Sequence, residues 1–575
     1  MANQRLRKLI GYVRPHRRQL LMGVLALLAF NGLSVWIPEL LQSGIDREQF
    51  GYYVALILIA ASAMWGIRIL SRIWILGVGR KVEFDLKQAL FQHLLRLEPA
   101  YFATRSSGDL ITRATSDVDE IRRLLGFAVQ SILEALFRYG LVVPVMFAID
   151  LRLSAIALLP YPLILTAVWI FSARLREQQS TVQEQLSDLS ELVREDISGI
   201  DSIKIYAQEQ NERQAFRRRN QQLLAANLKL AQTRNWLFPV IQGLATLSLL
   251  LLLVLGAGKL DRGLITSGEF VQLIVYAQQL VFPMATLGFT LTAYQRGQVS
   301  VDRVESILNA QPRVRDAPQA QPLALAQVRG ALSARELSYT YPGASEPALQ
   351  AVNFAIAAGE TVAIVGPIGS GKSTLAHALP RLLEIPDGQL FLDGRDVTQI
   401  QLESLRAAIA FVPQDSFLFS TTIADNIRYG KPEASQAEIE AAARQARIHN
   451  EIARFPSQYD TVVGERGITL SGGQRQRASL ARALLADAPV LVLDDALSSV
   501  DSETATETLT QLSGETADKT VVFVSHQLSV AAQADRILVM EAGRIVQVGS
   551  HAALLERPGL YRSLWEQQQL EQAVP

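Results

Sequence analysis

The sequence predicts two parts of different fold class: an all-α part whose helices cross a membrane six times, followed by an α/β part. Three observations carry this. The chain has 575 residues, too many for one domain, and 49% of them are hydrophobic. Its mean hydropathy of +0.17 is high for a soluble protein. Apolar segments long enough to span a bilayer crowd the first half. In the second half the stretch Gly366-Pro367-Ile368-Gly369-Ser370-Gly371-Lys372-Ser373-Thr374 fits G-x-x-x-x-G-K-[ST] without a gap.

The 55 Lys and Arg residues balance the 55 Asp and Glu residues, so overall charge points to neither nucleic acid nor an acidic partner. Cys is absent, which excludes disulfides and cysteine-based zinc or iron–sulfur sites. The first apolar run is too long for the core of a secretory signal, and no small-residue cleavage site follows it.

Arg5, Arg7, Lys8, Arg14, Arg17 and Arg18 precede the first apolar segment, and such a basic flank keeps this end in the cytoplasm. Candidate spans follow at 20–38, 52–76, 124–149, 153–171, 236–257 and 270–291. An even number of crossings returns the chain to the cytoplasm. The second span contains Arg68 and Arg72, the third Glu134 and Arg138, and the fourth Pro160 and Pro162. Charges at that depth face protein or water. Each charged pair sits four residues apart on one helical face. Two roles stay open for them: pairing or snorkelling within the membrane part, and contact with a polar or anionic substrate in a central cavity.

Short outer links alternate with two long basic inner stretches, 79–123 and 172–234. These are helical in pattern and read as helices continuing out of the bilayer. At 1.5 Å per residue they reach roughly 30 Å into the cytoplasm. From 309 to 328 the composition turns to Gln, Ala and Pro without periodicity, which marks a linker. The expected domains are therefore 1–308, the membrane part, and 329–575.

In the second part an apolar strand (361–365) leads into the glycine-rich stretch, and a helix (375–383) leads out of it. That context makes it a phosphate loop for ATP. Gly366, Gly369 and Gly371 let backbone amides turn inward, with Ser370 and Thr374 in the same cradle. Lys372 reaches the β- and γ-oxygens, and Ser373 offers its hydroxyl to Mg²⁺. Val490 to Leu493 form a buried strand ending in Asp494 and Asp495, where Asp494 can hold the Mg²⁺ shell. Tyr341 offers a face for adenine. Between phosphate loop and acidic strand lies Leu470-Ser471-Gly472-Gly473-Gln474, opening a helix.

On these residues the chain resembles, over nearly its whole length, an ATP-binding cassette (ABC) transporter of the exporter half-transporter type. The resemblance implies a P-loop NTPase domain with an antiparallel β subdomain and a helical signature subdomain. It implies Tyr341 as the adenine-stacking aromatic, Gln414 as a glutamine lining the Mg²⁺ and water site, His526 as the switch histidine and Asp501 closing the D-loop. Phe102 with Gly108 to Arg113 and Asp117 resembles the first coupling region, and 199–216 the second. Two cassettes would close head to tail, each ATP lying between one phosphate loop and the other chain's Ser471, Gly472, Gly473 and Gln474. The partners implied are a second half-transporter chain, membrane lipid, and a small-molecule, lipid or peptide substrate. The setting implied is a bacterial inner or plasma membrane, with the N-terminus and nucleotide-binding domain cytoplasmic.

One position departs from the family. Most active members carry Glu after the Walker B Asp, as general base for the attacking water; this chain has Asp495. A base must come within about 2.6–3.2 Å of its water, and a 1 Å misplacement can cost on the order of 10²-fold, so slow hydrolysis is expected here. An intact signature beside a weakened Walker B resembles the degenerate-site chain of a heterodimeric exporter. That favours a heterodimer over a homodimer using Asp495, helped by His526, as a slower base. A nucleotide-gated conduit or regulator with little ATP turnover is the alternative function, and importers usually divide these domains among separate chains.

Overall fold

A computed structural model of the chain describes residues 2–573 apart from 465, 466, 468, 497, 499–506 and 508–518. Contacts divide the molecule into two units. The first comprises Met1–Leu95 and Ser107–Ala310; the second comprises Arg96–Ser106 and Gln311–Pro575.

In the first unit six helices among the described residues are long and apolar enough to cross a membrane: Arg7–Asp46, Phe50–Leu94, Ser107–Ile149, Leu151–Ser198, Glu209–Asp261 and Ser267–Leu308. Each runs far beyond its apolar segment, as the polar helical stretches led one to expect. Large apolar side chains such as Leu25, Leu58, Trp65 and Leu163 stay exposed along these helices. Pro160 interrupts the fourth helix, which stops at Leu158 and restarts at Tyr161. The break is held from the side, because the Tyr161 hydroxyl donates to Ala277 O on the sixth helix. The fifth and sixth helices approach closely at Gly256, where an added Cβ would lie 2.3 Å from the Phe270 ring.

Of the charged residues read inside the spans, Arg138, Glu134 and Arg68 find partners. Arg138 Nε donates to Asn31 Oδ1 at 2.9 Å and its Nη1 to Gln279 Oε1 at 3.3 Å. Glu134 lies 3.8 Å from the same guanidinium, which also covers the Phe30 ring. Arg68 also lies over the Phe30 ring, 5.1 Å from its centroid.

At the N-terminus a helix, Ala2–Val13, leads through a tight turn at Arg14–His16 into the helix Arg17–Asp46 that carries the first apolar segment. Lys8 Nζ meets Glu305 Oε2 at 2.7 Å and the Tyr12 hydroxyl donates to Glu305 Oε1. Glu305 lies in the last turn of the sixth helix. The base of the third helix is tied to the same helix: Ser300 Oγ donates to the buried Asp117 at 2.8 Å, and Arg113 donates to Ser306 Oγ at 2.7 Å.

The second unit contains two sheets among the described residues. The strands are β1 (Leu332–Tyr339), β2 (Leu349–Ile356), β3 (Thr361–Val365), β4 (Leu390–Leu392), β5 (Arg395–Asp396), β6 (Ile409–Val412), β7 (Val490–Asp494), β8 (Thr520–Val524), β9 (Arg536–Glu541) and β10 (Arg544–Gly549). One sheet is antiparallel, in the order β2-β1-β4-β5. The other is mixed, β10-β9-β3-β8-β7-β6, with only the β10–β9 pair antiparallel.

Central strands of the mixed sheet are buried on both faces, which explains their unbroken apolar runs. Val362, Ile364, Val490 and Val492 pack toward the antiparallel sheet. Their neighbours Ala363, Val365, Leu491 and Leu493 pack toward helices that include Gln436–Gln445 and Gly472–Leu485. The strand register leaves the ends of β3 and β7 on the same edge of the sheet, with β8 between them.

The stretch read as a linker is pinned to this unit. Gln321 exchanges backbone hydrogen bonds with Gln399 and Gln401, Asp316 accepts the Leu402 amide at 2.7 Å, and Leu323 and Val328 pack on the core. Absence of periodicity reflects extended chain lying on a surface. The short helix Pro99–Ala103, which carries Phe102, also belongs to this unit, and Glu98 accepts the Arg313 amide at 3.1 Å. Gly108 to Asp117 belongs to the first unit, so the first coupling region is divided between the two. In the second region, Ile200–Ile205 forms a short helix with Ile200, Ile205 and Tyr206 exposed.

Candidate nucleotide site

The loop after β3 turns where only glycine fits. Gly366 has φ +151°, and a Cβ there would lie 2.1 Å from Met540 O on the adjacent β9. Gly369 and Gly371 also have positive φ, +82° and +97°. The helix Lys372–Ala378 begins directly afterwards. Within the loop the Ser370 hydroxyl is buried without a hydrogen-bond partner among the described residues. A buried donor left open beside inward amides suits a phosphate oxygen.

Lys372 is buried and its Nζ donates to Gly366 O and Pro367 O at 2.9 and 2.8 Å. Burial pushes its pKa down, against the pull of Asp495 and Asp494. Ser373 Oγ donates to Asp494 Oδ1 at 2.8 Å. That places two hard oxygens side by side, a donor set that fits Mg²⁺. Asp494 is almost fully buried, and burial pushes its carboxyl above the usual range, countered by the Ser373 hydrogen bond and by His377 and Lys372. His377 Nε2 lies 3.7 Å from Asp494 Oδ2, and burial holds its pKa down. Sequence reading missed His377. The signal was its spacing: four residues after Ser373 on the same helix, it shares that residue's face.

Asp495 is buried at the end of β7 with φ +51°, an uncommon conformation for a non-glycine residue. Its amide donates to Val524 O at 3.2 Å, and Gln414 Nε2 approaches its Oδ2 at 3.5 Å. Burial raises this carboxyl too; His526, through its charge and backbone amide, opposes the shift.

Tyr341, Gly369, Gly371, Lys372, Ser373, Thr374, Gln414 and His526 line one cavity of about 450 Å³, and Asp495 lines a neighbouring cavity that shares His526 with it. The first is the size of a cofactor pocket. Tyr341 stands edge-on to Tyr339, and its hydroxyl lies 3.2 Å from Thr374 Oγ1. Ser471, Gly472, Gly473 and Gln474 do not line this cavity. Ser471 caps the helix Gly472–Leu485, its hydroxyl accepting the Gln474 amide at 3.2 Å while Gln474 Oε1 accepts the Ser471 amide at 2.9 Å. The Gln474 side chain also donates to Glu451 at 2.8 Å. Asp501 lies outside the described residues.

Residues 19–284 match the family described as ABC transporter transmembrane region, and residues 349–498 match the ABC transporter family. The chain is 32% identical over 577 residues to the "Probable multidrug resistance ABC transporter ATP-binding/permease protein YheI" of Bacillus subtilis, covering 98% of each chain. The chain belongs to the ABC transporter family. Another similar ABC transporter is the "ATP-dependent lipid A-core flippase" of Thiobacillus denitrificans, 34% identical over 565 residues and 97% of each chain. Among solved structures, a bacterial Atm1-family ABC exporter with ATP bound superposes with a TM-score of 0.78 at 26% identity, covering 96% of this chain and 99% of that one. This ABC transporter is thus a multi-pass membrane protein of exporter fold, with an ATP-binding domain that couples ATP hydrolysis to transport.

Proposed function

We propose that the chain is the weakly hydrolysing half of a heterodimeric exporter or flippase. It moves an amphipathic substrate outward from the cytoplasm or inner leaflet of a bacterial inner membrane by alternating access. ATP with Mg²⁺ sits in the Tyr341–His526 cavity, Ser373 and Asp494 hold the metal with Gln414 beside it, and Asp495 faces the attacking water. ATP binding favours the closed, outward-open state, and hydrolysis resets it. One observation carries the reading: Asp495, buried at the end of β7, is one methylene shorter than the usual Glu, so its carboxylate stands farther from the attacking water than a general base should.

The capped Ser471 helix lies away from the cavity of its own chain, which supports a role on the nucleotide of the partner. The test is ATP turnover of the purified chain alone in lipid bilayers, beside Asp495→Glu and Lys372→Ala. Near silence in the wild type with turnover restored by Glu supports the reading. Turnover of about 1–10 per second by the wild type alone makes the protein a working homodimer and overturns the heterodimer assignment.

A further inference from the structure

The helix Leu560–Ala573 of the second unit packs through one stripe. Tyr561 is buried, Leu564 and Trp565 are half-buried, and all three join the apolar cluster that contains Leu491 and Leu493. Contacts with His551 and Gln547 fix the register. The Tyr561 hydroxyl pairs with His551 Nδ1 at 2.7 Å, and the Trp565 ring stands 4.7 Å from the same imidazole. The Tyr561 amide donates to Gln547 Oε1 at 2.9 Å.

Gln568 continues that stripe, seven residues after Tyr561 and three after Trp565. A polar group at the end of an apolar face needs partners, and this one finds both in a single loop. Its Oε1 accepts the Leu528 amide at 2.7 Å, and its Nε2 donates to His526 O at 3.2 Å. One side-chain amide therefore grips the chain on both sides of Gln527.

The first of these bonds has a structural use. Leu528 opens the short helix Leu528–Ala531, whose cap residue Gln527 makes no side-chain capping bond, so Gln568 serves that helix end from outside. The second bond is no part of a cap. It falls on the carbonyl of the residue whose imidazole lines the nucleotide cavity and whose backbone amide meets the Asp495 carboxyl. The neighbouring cavity, about 130 Å³, is lined by Asp495, Ser498, His526 and Gln527, so the loop has open space on that side. Its position is set by ties at its two ends: Ser525 donates its amide to Ile364 O of β3 at 3.2 Å, and Gln568 holds His526 and Leu528.

We propose that Gln568 is a positioning residue for the nucleotide site: by holding the His526 carbonyl, it sets where the His526 imidazole stands. The inference rests on the reading of that cavity as the ATP site, and it holds equally for a homodimer and a heterodimer. Without the donor, the peptide at His526 turns toward the open space and carries the imidazole with it.

The test uses the full chain in lipid nanodiscs without nucleotide, isotope-labelled at the Cε1 carbon of histidine and observed by NMR. The sequence has 6 histidines, so each signal is assigned by removing one imidazole at a time. Gln568→Leu should move or broaden the His526 signal and leave that of His377, beside Asp494, in place. His551 touches Tyr561 and Trp565, so its unchanged signal shows that the helix is still seated. An unmoved His526 signal overturns the proposal. If His551 moves as well, the helix has come away, and Gln568→Glu decides. That variant keeps an acceptor for the Leu528 amide and removes the donor to His526 O; it should move His526 alone, and an unmoved signal overturns the proposal.

Turnover is then read in the wild type or, where that is silent, in Asp495→Glu. Adding Gln568→Leu should lower kcat by about 10- to 100-fold with KM little changed, since a misplacement near 1 Å can cost on the order of 10²-fold. A raised KM with kcat kept assigns Gln568 to the fold of the site alone and overturns the proposal. If neither form turns over ATP, the hydrolysis reading falls by itself, and the His526 signal still decides for or against the grip of Gln568.

Discussion

Ser373 Oγ donates to Asp494 Oδ1 at 2.8 Å, joining the helix that opens after the phosphate loop to the last residue of β7. The bond is made between groups far apart in sequence, and it holds an acid whose burial works against its ionisation.

Replacing that acid should therefore stabilise the empty protein. A carboxyl raised by folding contributes stability below its unfolded pKa and loses it as pH rises through the folded pKa. The melting temperature of Asp494→Asn, without nucleotide or metal, should match wild type in acid and exceed it increasingly as pH rises past the carboxylate range. The same variant should lose the stabilisation that Mg²⁺ and ATP give the wild type. A constant offset at every pH would show that ionisation of Asp494 is not the cause.

Gly366→Ala places a methyl group 2.1 Å from Met540 O at a φ of +151°. The loop must shift away from β9, at a cost of about 1–3 kcal/mol in stability. Thermal unfolding should register that cost, and ATP titration should show weaker binding because the inward amides move with it. Wild-type values in both would mean that the end of β9 yields freely.

His377→Ala removes the imidazole beside Asp494 and its packing against Phe411, 5.3 Å between ring centres. Groups that orient a metal ligand typically change metal affinity by about 10- to 100-fold. The Mg²⁺ concentration for half-maximal nucleotide binding should rise within that range, with the affinity for nucleotide at saturating Mg²⁺ little changed. If both move equally, the histidine supports the helix and not the metal site.

Arg138→Ala leaves Asn31 Oδ1 and Gln279 Oε1 without their donor inside the membrane unit. Each orphaned acceptor costs about 1–3 kcal/mol. Unfolding in detergent should show a loss of that order. Adding Asn31→Leu should recover part of it, since an apolar pair of matching volume needs no donor.

The nucleotide site was legible where one local pattern dictates backbone and chemistry together, as in Gly366 to Thr374, or where a strand ends in acid, as at Asp494. The six spans were legible for a similar reason, since bilayer thickness sets their length. His377 was not, because its role depends on β7, which comes more than a hundred residues later. The segment 309–328 was read by what it lacks, periodicity, which cannot distinguish a free tether from chain lying along a core. The third helix contains two π-type stretches, Arg113–Asp117 and Leu124–Ala128, which no spacing in the sequence announces.

The grip of Lys8 and Tyr12 on Glu305 makes the N-terminal helix an outrigger of the sixth span. Glu305 sits in that span's closing turn, so any roll of that end must either carry the outrigger with it or part both bonds. The end of the sixth span then turns as a longer lever than its own helix supplies, and the two bonds set how much load it carries.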